Sequence, residues 1–225
     1  MTDKNEKETL ADSLNNALEK SKGIVFAVAA VIVVAIIAVA VFATLKSKST
    51  EKGIEQVDSI SYALTNEAKD LSNEDVAARQ NKALEDLAAL TEKCGIVGIR
   101  ANMLVAEIKF SQKKYDEARA AWLKAATAMN KIYTVPLCYY NAAVCSEELG
   151  DTDGAISYYK SASEEPEFIL VDHALFSLAR VNETAGKYDD AKAAYEKLVE
   201  LHSSSSWAQL AKSRLIALKA AGNIQ

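Results

Sequence analysis

Three segments of this chain align without a gap: KKYDEARAAWLKAA (113–126), GDTDGAISYYKSAS (150–163) and GKYDDAKAAYEKLVE (186–200). Their small residues Ala118, Ala155 and Ala191 stand 37 and 36 residues apart. Four residues after each comes an aromatic, Trp122, Tyr159 or Tyr195, and three later a small or apolar residue, Ala125, Ala162 or Leu198. Twelve residues before each lies another alanine: Ala106, Ala143 and Ala179. Steps of three and four are helical spacing, and a repeat of this length is one supersecondary unit that cannot bury its apolar face alone, so neighbours must stack. Each unit therefore reads as two antiparallel helices that approach closely at the alanines, with the aromatic filling space toward the next pair. Gly150 and Gly186 mark the joints, where a left-handed residue ends the first helix.

The pattern extends on both sides. Upstream, NKALEDLAALTEK (81–93) repeats the spacing with Ala83, Leu87 and Leu90, while its partner around 54–71 lacks small residues. This is a degenerate leading pair, with a helix start capped by Ser72 and Asp75 and a stop at Gly95. Downstream, the serines of 203–206 form a turn and cap before a terminal helix that shields the last repeat. Eight glycines, two prolines and no apolar/polar alternation leave no room for strands. The expected fold is all-α: a leading pair in 46–97, three repeats in 98–202 and a capping helix in 203–225.

The sets Ala106/Ala118/Trp122/Ala125, Ala143/Gly150/Ala155/Tyr159/Ala162 and Ala179/Gly186/Ala191/Tyr195/Leu198 resemble the tetratricopeptide repeat. Its period is about 34, so these units carry two or three extra residues. Lys109, Ser146 and Asn182 sit where the family favours Tyr, and its terminal Pro is displaced to Pro166. The resemblance implies a right-handed α-solenoid whose first helices line a concave surface. Repeat phase then puts Arg100, Met103, Glu107 and Phe110 on that surface from the first repeat, Leu137, Tyr140, Val144 and Glu147 from the second, and His173, Phe176, Arg180 and Glu183 from the third. Met103, Phe110, Tyr140 and Phe176 would form an apolar strip with charged rims, suited to a peptide; the alternative is that these aromatics pack against the leading or terminal helix.

Residues 24–45, IVFAVAAVIVVAIIAVAVFATL, hold no charge, amide side chain, Gly or Pro, and a helix needs about twenty such residues to cross a bilayer. A cleaved signal peptide is the rival reading, but its apolar core runs only about 7–15 residues. Lysines flank both ends (Lys20 and Lys22; Lys46, Lys48 and Lys52), so charge does not orient the span. The short polar segment 1–23 followed by a large domain favours a signal anchor with a cytoplasmic N-terminus. The repeats then lie outside the cytoplasm, in the periplasm of a diderm bacterium. This order of elements resembles bacterial inner-membrane proteins with periplasmic repeats, including the ancillary subunit of the Sec translocon. It implies an envelope scaffold or chaperone-like accessory that binds peptides or proteins at the membrane, or else a permanent structural subunit of a membrane complex.

Little points to chemistry. The net charge of -5, with five Arg, carries no electrostatic footprint for nucleic acid. Cys94, Cys138 and Cys145 form no CxxC and are expected to be buried small apolar residues. Cys138 and Cys145, two turns or ~10.5 Å apart on one helix, cannot bridge each other. His173 and His202 are isolated, the Ser203–Ser206 run has no neighbouring base, and no phosphate-loop, dinucleotide or zinc-protease motif occurs. Of Tyr139 and Tyr140, one is expected on the surface. Charge is segregated: 109–131 has six basic and two acidic residues, 147–172 eight acidic and one basic, which could steer a partner. The expectation is a non-enzyme without cofactor, metal or small-molecule substrate, whose partners are proteins and, through 24–45, the membrane.

Overall fold

In the computed structural model the described residues are 15–16, 19–67, 71–128 and 133–225. Most of the polar segment 1–23 lies outside them. The helices are α1 (Lys22–Thr65), α2 (Asn73–Thr91), α3 (Ile96–Ser111), α4 (Tyr115–Thr127), α5 (Val135–Glu148), α6 (Thr152–Ser163), α7 (Val171–Thr184), α8 (Tyr188–Leu201) and α9 (Ser206–Ala220). The chain divides into two compact units, Met1–Lys52 and Gly53–Gln225.

The first unit contains the apolar stretch. None of its most apolar part is buried, and the described large side chains between Ile24 and Leu45 are each more than half exposed. Twenty-two helical residues extend about 33 Å, enough for a hydrocarbon core of about 30 Å. The helix does not stop where the apolar stretch does. Nothing in KSKSTEKG (46–53) breaks a helix, so the partner helix expected around 54–71 is the far part of α1, which runs on to Thr65.

The second unit is a stack of helix pairs. The far part of α1 with α2 makes the leading pair; α3/α4, α5/α6 and α7/α8 are the three repeats, and α9 follows. Ala106, Ala118, Ala143, Ala155, Ala179 and Ala191 are all fully buried, as close helix approach requires, and Trp122, Tyr159 and Tyr195 are buried beside them. The three first-to-second-helix joints share one construction. Gly150 (φ 72°) and Gly186 (φ 73°) are left-handed, and the following amide donates back five residues, Asp151 N to Ser146 O and Lys187 N to Asn182 O, each at 2.9 Å. In the first repeat that place is held by Lys113 at φ 59°, with Lys114 N donating to Lys109 O at 2.9 Å.

Serines cap where the sequence placed them. The Ser72 hydroxyl accepts from Asp75 N at the start of α2, and Ser205 accepts from Trp207 N at the start of α9. The α2–α3 turn is held by Asn102, whose amide donates to Thr91 O (2.9 Å) and Gly98 O (2.7 Å). Gly98 belongs there because a Cβ would meet the Lys93 carbonyl oxygen at 1.8 Å.

Candidate protein-binding face

The first helices of the pairs, α1 (from Gly53), α3, α5, α7 and then α9, lie side by side, and side chains crossing between them define one face. Gly53 sits against Val97, and Asp58 pairs with Arg100. Ser61, Leu64 and Thr65 share a cleft with Leu104, Ile108 and Ser111, so α1 and α3 run in the same direction. Farther along, Tyr140 meets His173 across α5 and α7, and His173 stacks on Trp207 of α9, with centroids 4.0 Å and planes 11° apart.

Two Glu–Tyr–Arg triads repeat on this face. Glu147 accepts from the Tyr159 hydroxyl at 2.6 Å and from Arg180 of the next first helix at 2.7 Å on each oxygen. Glu183 repeats this with the Tyr195 hydroxyl at 3.0 Å and with Arg214 of α9. Each carboxylate thus binds its own repeat's second helix and the neighbouring repeat's first helix. Burial raises the pKa of both phenols, and the hydrogen bonds they donate to the glutamates raise it further.

Of the residues expected on the concave surface, most are engaged within the fold. Arg100, Glu147, Arg180 and Glu183 are held in the pairs just described. Met103 and Phe110 are half-buried on the α3/α4 core, with Phe110 edge-on to Tyr115 at 5.2 Å. Leu137 is half-buried against the C-terminal core, and Val144 against the core around Tyr159. Phe176 packs on Tyr195 (5.6 Å) and Trp207 (5.1 Å). The Tyr140 hydroxyl lies 3.2 Å from His173 Nδ1; burial raises the Tyr140 pKa and lowers that of His173. Glu107 is exposed and has no ion pair among the described residues.

Some placements depart from the sequence reading. Tyr139 stacks on Tyr158 (6.3 Å) and Tyr140 meets Tyr159 edge-on (5.4 Å), so both are half-buried and neither is left fully on the surface: α6 presents two successive tyrosines to receive them. Cys138 and Cys145 are free and buried, but Cys94 is exposed because it lies in the α2–α3 turn. Residues that sequence reasoning missed are Trp207, Arg214 and Asp58. The first two were within reach, since each follows its counterpart, His173 or Arg180, by 34 residues; Asp58 has no such counterpart. Among the described residues no three His, Cys, Asp or Glu side chains gather as a metal site.

This geometry is that of a tetratricopeptide solenoid, and comparison with known proteins agrees. Residues 106–167 and 173–205 each match a tetratricopeptide repeat model, so the chain carries tetratricopeptide repeats. A TPR repeat-containing protein of Treponema pallidum is 34% identical over 139 residues, which is 62% of this chain and 58% of that protein. Response regulator aspartate phosphatase J of Bacillus subtilis is 35% identical over 100 residues, 42% of this chain and 26% of that protein. The chain therefore spans less than two thirds of either relative. The solved apo form of RapI shares the fold, with a TM-score of 0.52 at 18% identity, covering 68% of this chain and 44% of that one.

Proposed function

We propose that this chain is a membrane-anchored protein-interaction module whose first-helix face engages peptides or proteins at the membrane surface. The observation that carries the reading is an exposed apolar helical stretch, 24–45, in the same chain as a tetratricopeptide array. Arrays of this kind act through extended surfaces built by stacked repeats. A span confines such a surface to the membrane and raises its effective concentration toward membrane-bound partners. The order of anchor and repeats supports a bacterial inner-membrane placement with the array in the periplasm, and a scaffolding or chaperone-like role near translocating proteins. The Bacillus relative is named a phosphatase, but the shared part is about a quarter of its length, and the face described above is built from packing and ion pairs, so the reading is non-catalytic.

The test is site-directed photocrosslinking of the full chain in native membranes. Probes at Glu107 and Val144 report on the first-helix face; probes at Lys160 and Glu196 report on the second helices. The expected outcome is alkali-resistant membrane association, with protein crosslinks from the first pair of positions. Release of the chain by alkaline carbonate would overturn the anchor, and crosslinks from the second helices alone would overturn the face.

A further inference from the structure

Neighbouring first helices are tied on this face by acid–arginine pairs: Asp58–Arg100 joins α1 to α3, Glu147–Arg180 joins α5 to α7, and Glu183–Arg214 joins α7 to α9. The α3–α5 step has no such pair among the described residues. Counted from the matched alanines, Phe110 occupies the place of Glu147 and Glu183, and Val144 the place of Arg180. Both are only half-buried, so apolar residues stand at the register positions where the ladder is interrupted.

Near those positions stands an acid without a cation. Glu107, one turn before Phe110 on α3, is exposed and has no ion pair. Its side chain nevertheless lines a cleft, and desolvation raises its pKa. Beside it opens a cleft of about 190 Å³ between the end of α1, the start of α2 and α3, lined by the apolar Leu64, Val76, Leu104 and Ile108 and by polar side chains that include Gln80 and Arg79. Arg79 at its edge is already turned to the Ala63 and Asn66 carbonyls. The volume is below the roughly 300–1,000 Å³ of small-molecule sites, which fits one side chain of a polypeptide. A long basic side chain has an apolar stem and a cationic head, matching the apolar side of the cleft and the carboxylate of Glu107, which has no ion pair among the described residues. Phe110 lies about 4.5 Å farther along α3, a separation that side chains two residues apart on an extended segment, about 7 Å, can bridge.

We propose that the first-helix face holds an extended polypeptide segment that places a lysine or arginine in the cleft against Glu107 and, two residues away, an apolar side chain over Phe110 and Val144. This rests on the interaction reading above and names its partner's chemistry.

The test uses the full chain in detergent micelles and fluorescence anisotropy with labelled peptides centred on Lys-Ser-Leu, Glu-Ser-Leu and Lys-Ser-Ser. Lys-Ser-Leu is expected to bind about 10-fold or more tighter than either control, the scale of one charge-assisted contact. Glu107→Gln should erase the preference over Glu-Ser-Leu, and Glu107→Lys should reverse it. The double change Phe110→Glu with Val144→Arg rebuilds the missing rung and should abolish binding while circular dichroism stays that of the parent. Retention of the lysine preference by Glu107→Gln, or failure of all three peptides to bind, overturns the proposal. If first-helix crosslinks in membranes persist in that case, the interaction reading stands with a different partner chemistry; if they vanish too, both fall.

Discussion

Replacing Tyr159 by phenylalanine removes one hydroxyl and nothing else. The ring is 1% exposed, and phenylalanine keeps its packing against Tyr140, so no cavity opens. What is lost is a 2.6 Å hydrogen bond to the Glu147 carboxylate. Bonds to charged groups contribute about 1.5–3 kcal/mol; because Arg180 still contacts both oxygens of Glu147, the lower end applies, about 1.5 kcal/mol. For an array of this size each kcal/mol moves the melting temperature by roughly 2–4 °C, so Tyr159→Phe should melt about 3–6 °C lower. Tyr195→Phe, whose bond to Glu183 is 3.0 Å, should lose less. Thermal unfolding of the full chain in micelles, followed by far-ultraviolet circular dichroism, measures both. A Tyr159→Phe protein melting within about 1 °C of the parent would refute the claim that these triads stabilise the repeat joints.

Three further outcomes are expected. Lys113→Gly should stabilise the array by about 1 kcal/mol by relieving a left-handed lysine, whereas Gly150→Ala should destabilise it by a similar amount; opposite signs in urea titrations are the check. Burial holds the phenols of Tyr140, Tyr159 and Tyr195 above their ordinary value. Their folded pKa thus exceeds the unfolded value of about 10, so this stability is complete below about pH 10 and is lost as pH rises past it. Urea midpoints should fall over that range, less steeply in Tyr159→Phe. Finally, a thiol reagent near neutral pH should label Cys94 at once and the other two cysteines only on unfolding. Cys138 and Cys145 are enclosed, and burial pushes their thiols up to about 12 and about 11; rapid labelling of all three would contradict the packing.

Most of the repeat fold was legible because its determinants are local. Alanine at fixed offsets, an aromatic four residues on and glycine at the joint each specify a small piece of backbone that recurs, and the structure buries those alanines and gives those glycines positive φ. The pairing of the residues expected on the face was not legible. Arg100, Glu147, Arg180 and Glu183 read as charged rims because nothing in a single repeat reveals the partner in the next; the acid and its arginine are more than thirty residues apart. The α1 end was the least legible. Asp58 pairs with an arginine 42 residues away, and the cleft beside Glu107 is lined by three helices, so no local pattern announces either.

The interrupted ladder also gives the array joints of two kinds, and salt acts on them in opposite directions. Dissolved ions screen exposed charge pairs beyond about 8–10 Å and weaken them at shorter range, and Asp58–Arg100, open to solvent on both sides, is the softest of the three rungs. Apolar packing such as Phe110 makes on a cluster shared with Cys138 and Ala142 of α5 is unaffected by screening and is strengthened by strongly hydrated salts. On the first-helix side, compliance should therefore migrate with ionic strength. In dilute solution the α3–α5 step is the one most free to open; in concentrated sulfate it becomes the stiff one, and its charged neighbours give way first.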